Sequence, residues 1–157
     1  QIKLFYSAQD VVEITFDEDT FTIIEYVPLG LNDKTSYYPL EKQTLHFHDN
    51  GYYKIDRDFL FEPPEFNTKM LYHIYNANSA LLNKLQKGQL LNDRELKDLE
   101  NLPSTLMICY LNGFDDAKQK LIDAKAVLKP FPQVYLSFKE ALRILRKMKY
   151  DGQSAAN

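Results

Sequence analysis

The spacing of apolar residues changes once along this chain, at Glu62-Pro63-Pro64-Glu65. Before that point apolar and polar side chains alternate, the period of a half-buried strand. After it apolar residues return every three to four positions, the period of an amphipathic helix. The expected fold class is therefore α+β. An antiparallel, β-rich N-terminal half packs with a helical C-terminal half.

Within the first half, Ile2–Tyr6 reads as a strand. In the next, Val11–Phe16, the residues Val12, Ile14 and Phe16 share one face while Glu13 and Thr15 share the other. Asp17-Glu18-Asp19 forms a polar turn, and Phe21–Val27 returns as the second arm of a hairpin. Pro28, Gly30, Asn32 and Asp33 mark a loop. Tyr37-Tyr38-Pro39 reads as a short edge segment, since proline cannot donate to a central ladder.

The segment Thr44-Leu45-His46-Phe47-His48, followed by Asp49-Asn50-Gly51 and Tyr52–Ile55, allows register to be argued. A two-residue Asn-Gly turn would pair Phe47 with Lys54 and mix polar with apolar groups on each face. A three-residue loop with Gly51 in the left-handed conformation instead pairs Phe47 with Tyr53 and Leu45 with Ile55. One face is then wholly apolar, with His46, His48, Tyr52 and Lys54 on the other. A one-residue slip turns every side chain over, so the second register is expected.

Past the prolines, Asn67 is positioned to cap a helix reaching Gln86, with Met70, Ile74, Ala77, Leu81 and Leu85 as its apolar stripe. Gly88 suits the residue that ends it. Asn92 with Glu95 reads as a capping box for a short helix, 93–101, which Pro103 stops. The apolar run Thr105–Leu111 reads as a buried strand, because Asn112-Gly113 follows and a helix spans 115–128. Gln133–Leu136 is a further strand candidate. Ser137 with Glu140 reads as a capping box for a last helix to Tyr150. This order ends the chain in a β-α-β-α unit and resembles the end of a STAS-type regulatory domain. The serine-containing phosphorylation motif of such domains is absent, so their function is not implied.

A chain of 157 residues is expected to form one domain over 1–152, β-rich over 1–61 and mainly helical over 67–150, with a polar tail at 153–157. The single cysteine, Cys109, cannot form an internal disulfide, which points to a cytoplasmic protein. No apolar run approaches the roughly 18 residues of a membrane span, and the N-terminus does not read as a signal peptide. As the chain does not begin with Met, a processed precursor is compatible with it.

Net charge is −3, distributed unevenly. Residues 1–66 carry 5 basic and 13 acidic side chains, whereas residues 129–157 carry 6 basic and 2 acidic. Such asymmetry bears on association.

Candidate chemistry is sparse. His46 and His48 project to one side of a strand beside Asp49, with His73 on the first helix, and could begin a metal site or a small enzyme's active site. Only 3 histidines exist, and no cysteine cluster supports them. Asp17, Glu18 and Asp19 lack the spacing of a calcium loop. Cys109 lies inside an apolar run and reads as a small core residue. Neither a serine elbow nor a glycine-rich phosphate loop occurs. Lys139, Arg143 and Arg146 share a face of the last helix and could hold nucleic acid, although a pI near 5.6 weakens that reading.

The leading expectation is a non-catalytic protein-binding domain of inhibitor, immunity or adaptor type, without cofactor. Its binding face would comprise Asp17, Glu18, Asp19, Tyr37, Tyr38, Tyr52, His46 and His48, and its partner would be a basic protein, with no membrane involved.

Overall fold

The computed structural model describes residues 2–6, 11–31, 34–49 and 53–156, and the side chains of 12–29, 36–49 and 55–148. The chain divides into two compact units. One comprises Gln1–Pro28 with Ser36–Glu62, the other Leu29–Thr35 with Pro63–Asn157.

Five strands form one sheet: β1 (Ile2–Tyr6), β2 (Val11–Asp17), β3 (Thr20–Leu31), β4 (Lys34–Phe47) and β5 (Tyr53–Phe59). They lie in sequence order, and the β1–β2, β2–β3 and β4–β5 pairs are antiparallel. Alternation decides the register. In β2–β3, Ile14 faces Ile23 and Phe16 faces Phe21, the two rings 4.7 Å apart. On the opposite face the Tyr26 hydroxyl donates to Glu13 Oε2 at 3.0 Å. Burial, followed by that carboxylate, raises the tyrosine's pKa.

The β4–β5 register is the one expected, with Leu45 opposite Ile55 and Phe47 opposite Tyr53. The conformation of Gly51 falls outside the described residues.

Two readings of the β half are corrected. Strand β3 does not stop at Pro28 but continues to Leu31. Among the described residues, its ladder with β2 runs from the Asp17–Thr20 pair to the Val11–Tyr26 pair. Tyr37-Tyr38-Pro39 is not a separate segment but part of a 14-residue strand. The ladder with β5 runs to Glu41, with one further bond from the Leu60 amide to the Leu40 carbonyl at 2.8 Å, so Pro39 sits just beyond it.

In the second unit, α1 (Thr68–Gln86) begins at Asn67, whose side chain accepts from the amides of Lys69 and Met70. Gly88, just past the Lys87 C-cap, takes the left-handed conformation, with φ 69°. Helix α2 (Asp93–Leu111) opens with the expected Asn92–Glu95 capping box. Then follow α3 (Asp116–Asp123), α4 (Lys125–Leu128) and α5 (Pro132–Ala156). The expected single helix over 115–128 is thus interrupted at Ala124.

The larger correction concerns the C-terminal β-α-β-α unit. Thr105–Leu111 is helix, continuous with 93–101 through Pro103, and Gln133–Leu136 is the first part of α5. Helix α2 contacts α1, α3 and α5, and Leu102–Cys109 are all buried. This second half of α2 is enclosed on every side and has no polar face, so its sequence loses the 3.6-residue signature. Pro103 removes one backbone bond, but packing on three neighbours outweighs that propensity term. Hydroxyls supply local bonds beside it: Ser104 and Thr105 both donate to the Asn101 carbonyl, at 3.2 and 2.7 Å. In α5, Pro132 takes the first helical position, where its lack of an N–H costs nothing. Ser137 is therefore inside the helix rather than its cap, and the expected polar tail is helical to Ala156. The likeness to a STAS-type ending does not survive, since it depended on those two strands.

The core of this unit is built from Leu71, Leu82, Leu99, Leu102, Leu106, Ile108, Leu121, Leu128, Phe138 and Ile144, all nearly inaccessible. The expected α1 stripe is displaced by one position. Leu71, Asn78 and Leu82 are buried with Leu81, while Ala77 is exposed. Lys84 Nζ donates to both Glu95 oxygens, at 2.9 and 2.8 Å, linking α1 to the start of α2. The hydrogen bond from Lys84, with one from the Asn92 amide, lowers the Glu95 pKa below the usual 4.5 despite partial desolvation. A depressed carboxyl pKa contributes stability above the unfolded value, and that contribution fades as pH falls through the folded one. Replacing Glu95 by Gln is expected to flatten stability against pH below about 4.5 and to leave its slope near neutrality unchanged, as read from urea midpoints.

Candidate functional site

The sheet brings two distant parts of the sequence together at one end. Strands β2 and β3 pair through Asp17–Thr20, so Glu18 and Asp19 alone make the turn. Glu18 adopts φ 34°, and Thr20 Oγ1 donates to the Asp17 carbonyl at 3.1 Å. The Phe47 amide, at the end of β4, donates to the Asp19 carbonyl at 3.0 Å. This bond fixes the last residue of β4 beside the acidic turn. Asp17, Glu18, Asp19, His48 and Asp49 are all exposed there. So are two large rings, Phe16 at 51% and Phe47 at 56%. Ile55 on β5, at 41%, faces Leu45 two cross-strand pairs from Phe47, on the same face. The tip therefore combines exposed apolar surface with exposed carboxylates.

The other residues expected in the site are distributed differently. His46 lies in β4 with Nε2 3.0 Å from Asp56 Oδ2. That carboxylate is two residues along β5 from Lys54, which faces His46, making a diagonal cross-strand contact. Tyr37 is exposed, but ten residues from Phe47 along β4, roughly 30 Å at strand rise. The ring of Tyr38 meets Phe61 edge-on at 6.4 Å, which gives it a packing role. The side chain of Tyr52 falls outside the described residues. Among the described residues no three His, Cys, Asp or Glu side chains converge as a metal site would require. His73 is exposed on α1, in the other unit.

Phe16, Phe47 and Ile55 were not expected in the site, because alternation assigned them to an inward face. A usable signal was present. Phe16 directly precedes three acidic residues, and Phe47 stands between two histidines. An apolar residue so flanked at a hairpin end has little chain nearby to cover it.

A family model described as domain of unknown function (DUF5929) matches residues 1–151. The chain belongs to that family. The match spans both compact units. No curated protein and no solved structure matches.

The basic face of α5 is partly occupied by its own neighbours. Arg143 forks onto Glu140, Nη2 to Oε1 at 2.6 Å and Nε to Oε2 at 3.1 Å. Lys139 Nζ lies 5.4 Å from the Tyr135 ring centroid, and Arg146 is exposed. Among the described residues no helix is long and apolar enough to cross a membrane.

Cys109 is buried in α2, and desolvation pushes its thiol up to about 11. A thiol so protonated and enclosed is a poor nucleophile. Labelling with a disulfide reagent at pH 8 is expected to be at least about 100-fold slower in the native protein than in urea, followed at the thiolate chromophore. Prompt native labelling would contradict this burial.

Proposed function

We propose that the chain is a non-catalytic protein-binding domain, and that it engages a basic partner through the Phe16–Phe47 tip of its sheet. The observation carrying this reading is the bond from the Phe47 amide to the Asp19 carbonyl, which joins two exposed aromatic residues to the acidic turn. Apolar anchors provide affinity at such surfaces, while fixed charge provides steering and partner choice. The excess of acidic side chains over residues 1–66 favours a basic surface opposite. A single buried cysteine fits a cytoplasmic setting.

Two other readings have less support. A metal or catalytic role for His46, His48 and Asp49 would first have to release His46 from Asp56. Nucleic-acid binding through Lys139, Arg143 and Arg146 would have to draw Arg143 from Glu140.

The test is affinity capture with the intact chain at low and high salt. The expected result is a stoichiometric basic partner retained by the native chain, weakened by salt and lost with Phe47→Ser. Retention unaffected by that substitution would move the site elsewhere. Metal content removed by changing both strand histidines to alanine would favour the enzyme reading.

A further inference from the structure

In the helical unit, helices α1 and α2 border an open cleft of about 680 Å³. That volume falls within the range of about 300–1,000 Å³ typical of small-molecule sites. One wall is alkyl: Ile74, Ala77, Ala80 and Leu81 on α1. The small alanine side chains leave the space between the helices open. The Lys84–Glu95 bridge bounds the cleft, and each member already satisfies the other. Thr105 and Asn78 are buried in the lining and bonded within their own helices, to the carbonyls of Asn101 and Ile74.

The facing wall is different. Arg94 and Asp98 of α2 also line the cleft, and neither forms an ion pair among the described residues. Four residues apart, they project from one helix face about 5–6 Å from each other. A guanidinium fork binds a carboxylate in two-point fashion, and a carboxylate one turn away binds an ammonium group. Opposite them lies the alkyl wall, suited to an apolar side chain.

We infer that this cleft binds a small zwitterion with an apolar body, of the class of free amino acids with large hydrophobic side chains. Its carboxylate lies on Arg94, its ammonium group on Asp98, and its side chain against Ile74, Ala77 and Leu81. A ligand lacking either charge leaves one of the two helix charges without its counterpart, so discrimination against blocked analogues follows from the same geometry.

The test is amide-resolved NMR titration of the full chain with L-phenylalanine and L-leucine at millimolar concentration. N-acetyl-L-phenylalanine and L-phenylalanine amide serve as the singly charged controls. Saturable shifts over residues 74–84 and 94–105 are expected for the free amino acids. Binding should weaken at least about tenfold with Arg94→Met, with Asp98→Asn and with either blocked analogue, one lost charge-assisted contact in each case. Ala77→Phe fills the cleft from an exposed position and should abolish the shifts while the helical circular dichroism is retained. The inference is overturned if no saturable shifts appear, if the blocked analogues bind as well as the zwitterion, or if both charge variants bind as the native chain does.

Discussion

Leu106→Ala is expected to lower the unfolding free energy of the helical unit by about 2–5 kcal/mol, the cost of emptying a well-packed leucine site. Leu106 is 0% exposed, on the helix that α1, α3 and α5 all contact. A cavity there is bordered by several elements, so collapse of any one cannot refill it. The loss cannot come from helix propensity, because alanine is the better helix former and acts in the opposite direction. Leu90→Ala provides the control. Leu90 is 94% exposed, and its removal should change stability by no more than about 0.5 kcal/mol. Urea unfolding followed at the helical circular dichroism band measures both. Equal midpoints for the two variants would mean that α2 is not the centre of its unit.

The same helix shows where sequence patterns stop being informative. Asn67 and Asn92 announced their helices because a cap is a local event, a side chain meeting amides two or three residues ahead. The β4–β5 register was legible for a similar reason, since only one pairing keeps Leu45, Phe47, Tyr53 and Ile55 on a common face. Residues 102–109 offered no such handle. Their periodicity is erased by neighbours on every side, and those neighbours come from segments as far off as α5. Alternation also assigns a side chain to a face without saying whether anything covers that face. Phe16 and Phe47 illustrate the point: their strands, and for Phe47 the register, agree with the sequence, yet both residues are more than half exposed. The α1–α2 cleft is a third case. Spacing put Ile74, Ala77 and Leu81 on one stripe, but only the position of α2 decides that the stripe borders open space.

Phe47→Ser is expected to reduce affinity for a bound partner at least about 30-fold while changing stability by less than about 1 kcal/mol. The two effects separate because of where the ring lies. More than half of Phe47 is already in solvent, and the bond to Asp19 uses the backbone amide, which the substitution retains. Phe16→Ser dissolves the 4.7 Å contact with Phe21, a pair of a type contributing about 0.5–1.5 kcal/mol. Neutralising the turn as Asp17→Asn, Glu18→Gln and Asp19→Asn should act on another quantity. Association should slow and lose its salt dependence, while dissociation of the formed complex changes little. Surface plasmon resonance at two ionic strengths separates these terms. An apolar anchor governs the off-rate and a charged surround the on-rate, so the two variants should move different arms of the same sensorgram. If Phe47→Ser leaves dissociation unaltered, the exposed ring is surface the partner does not touch, and the proposed docking tip is wrong.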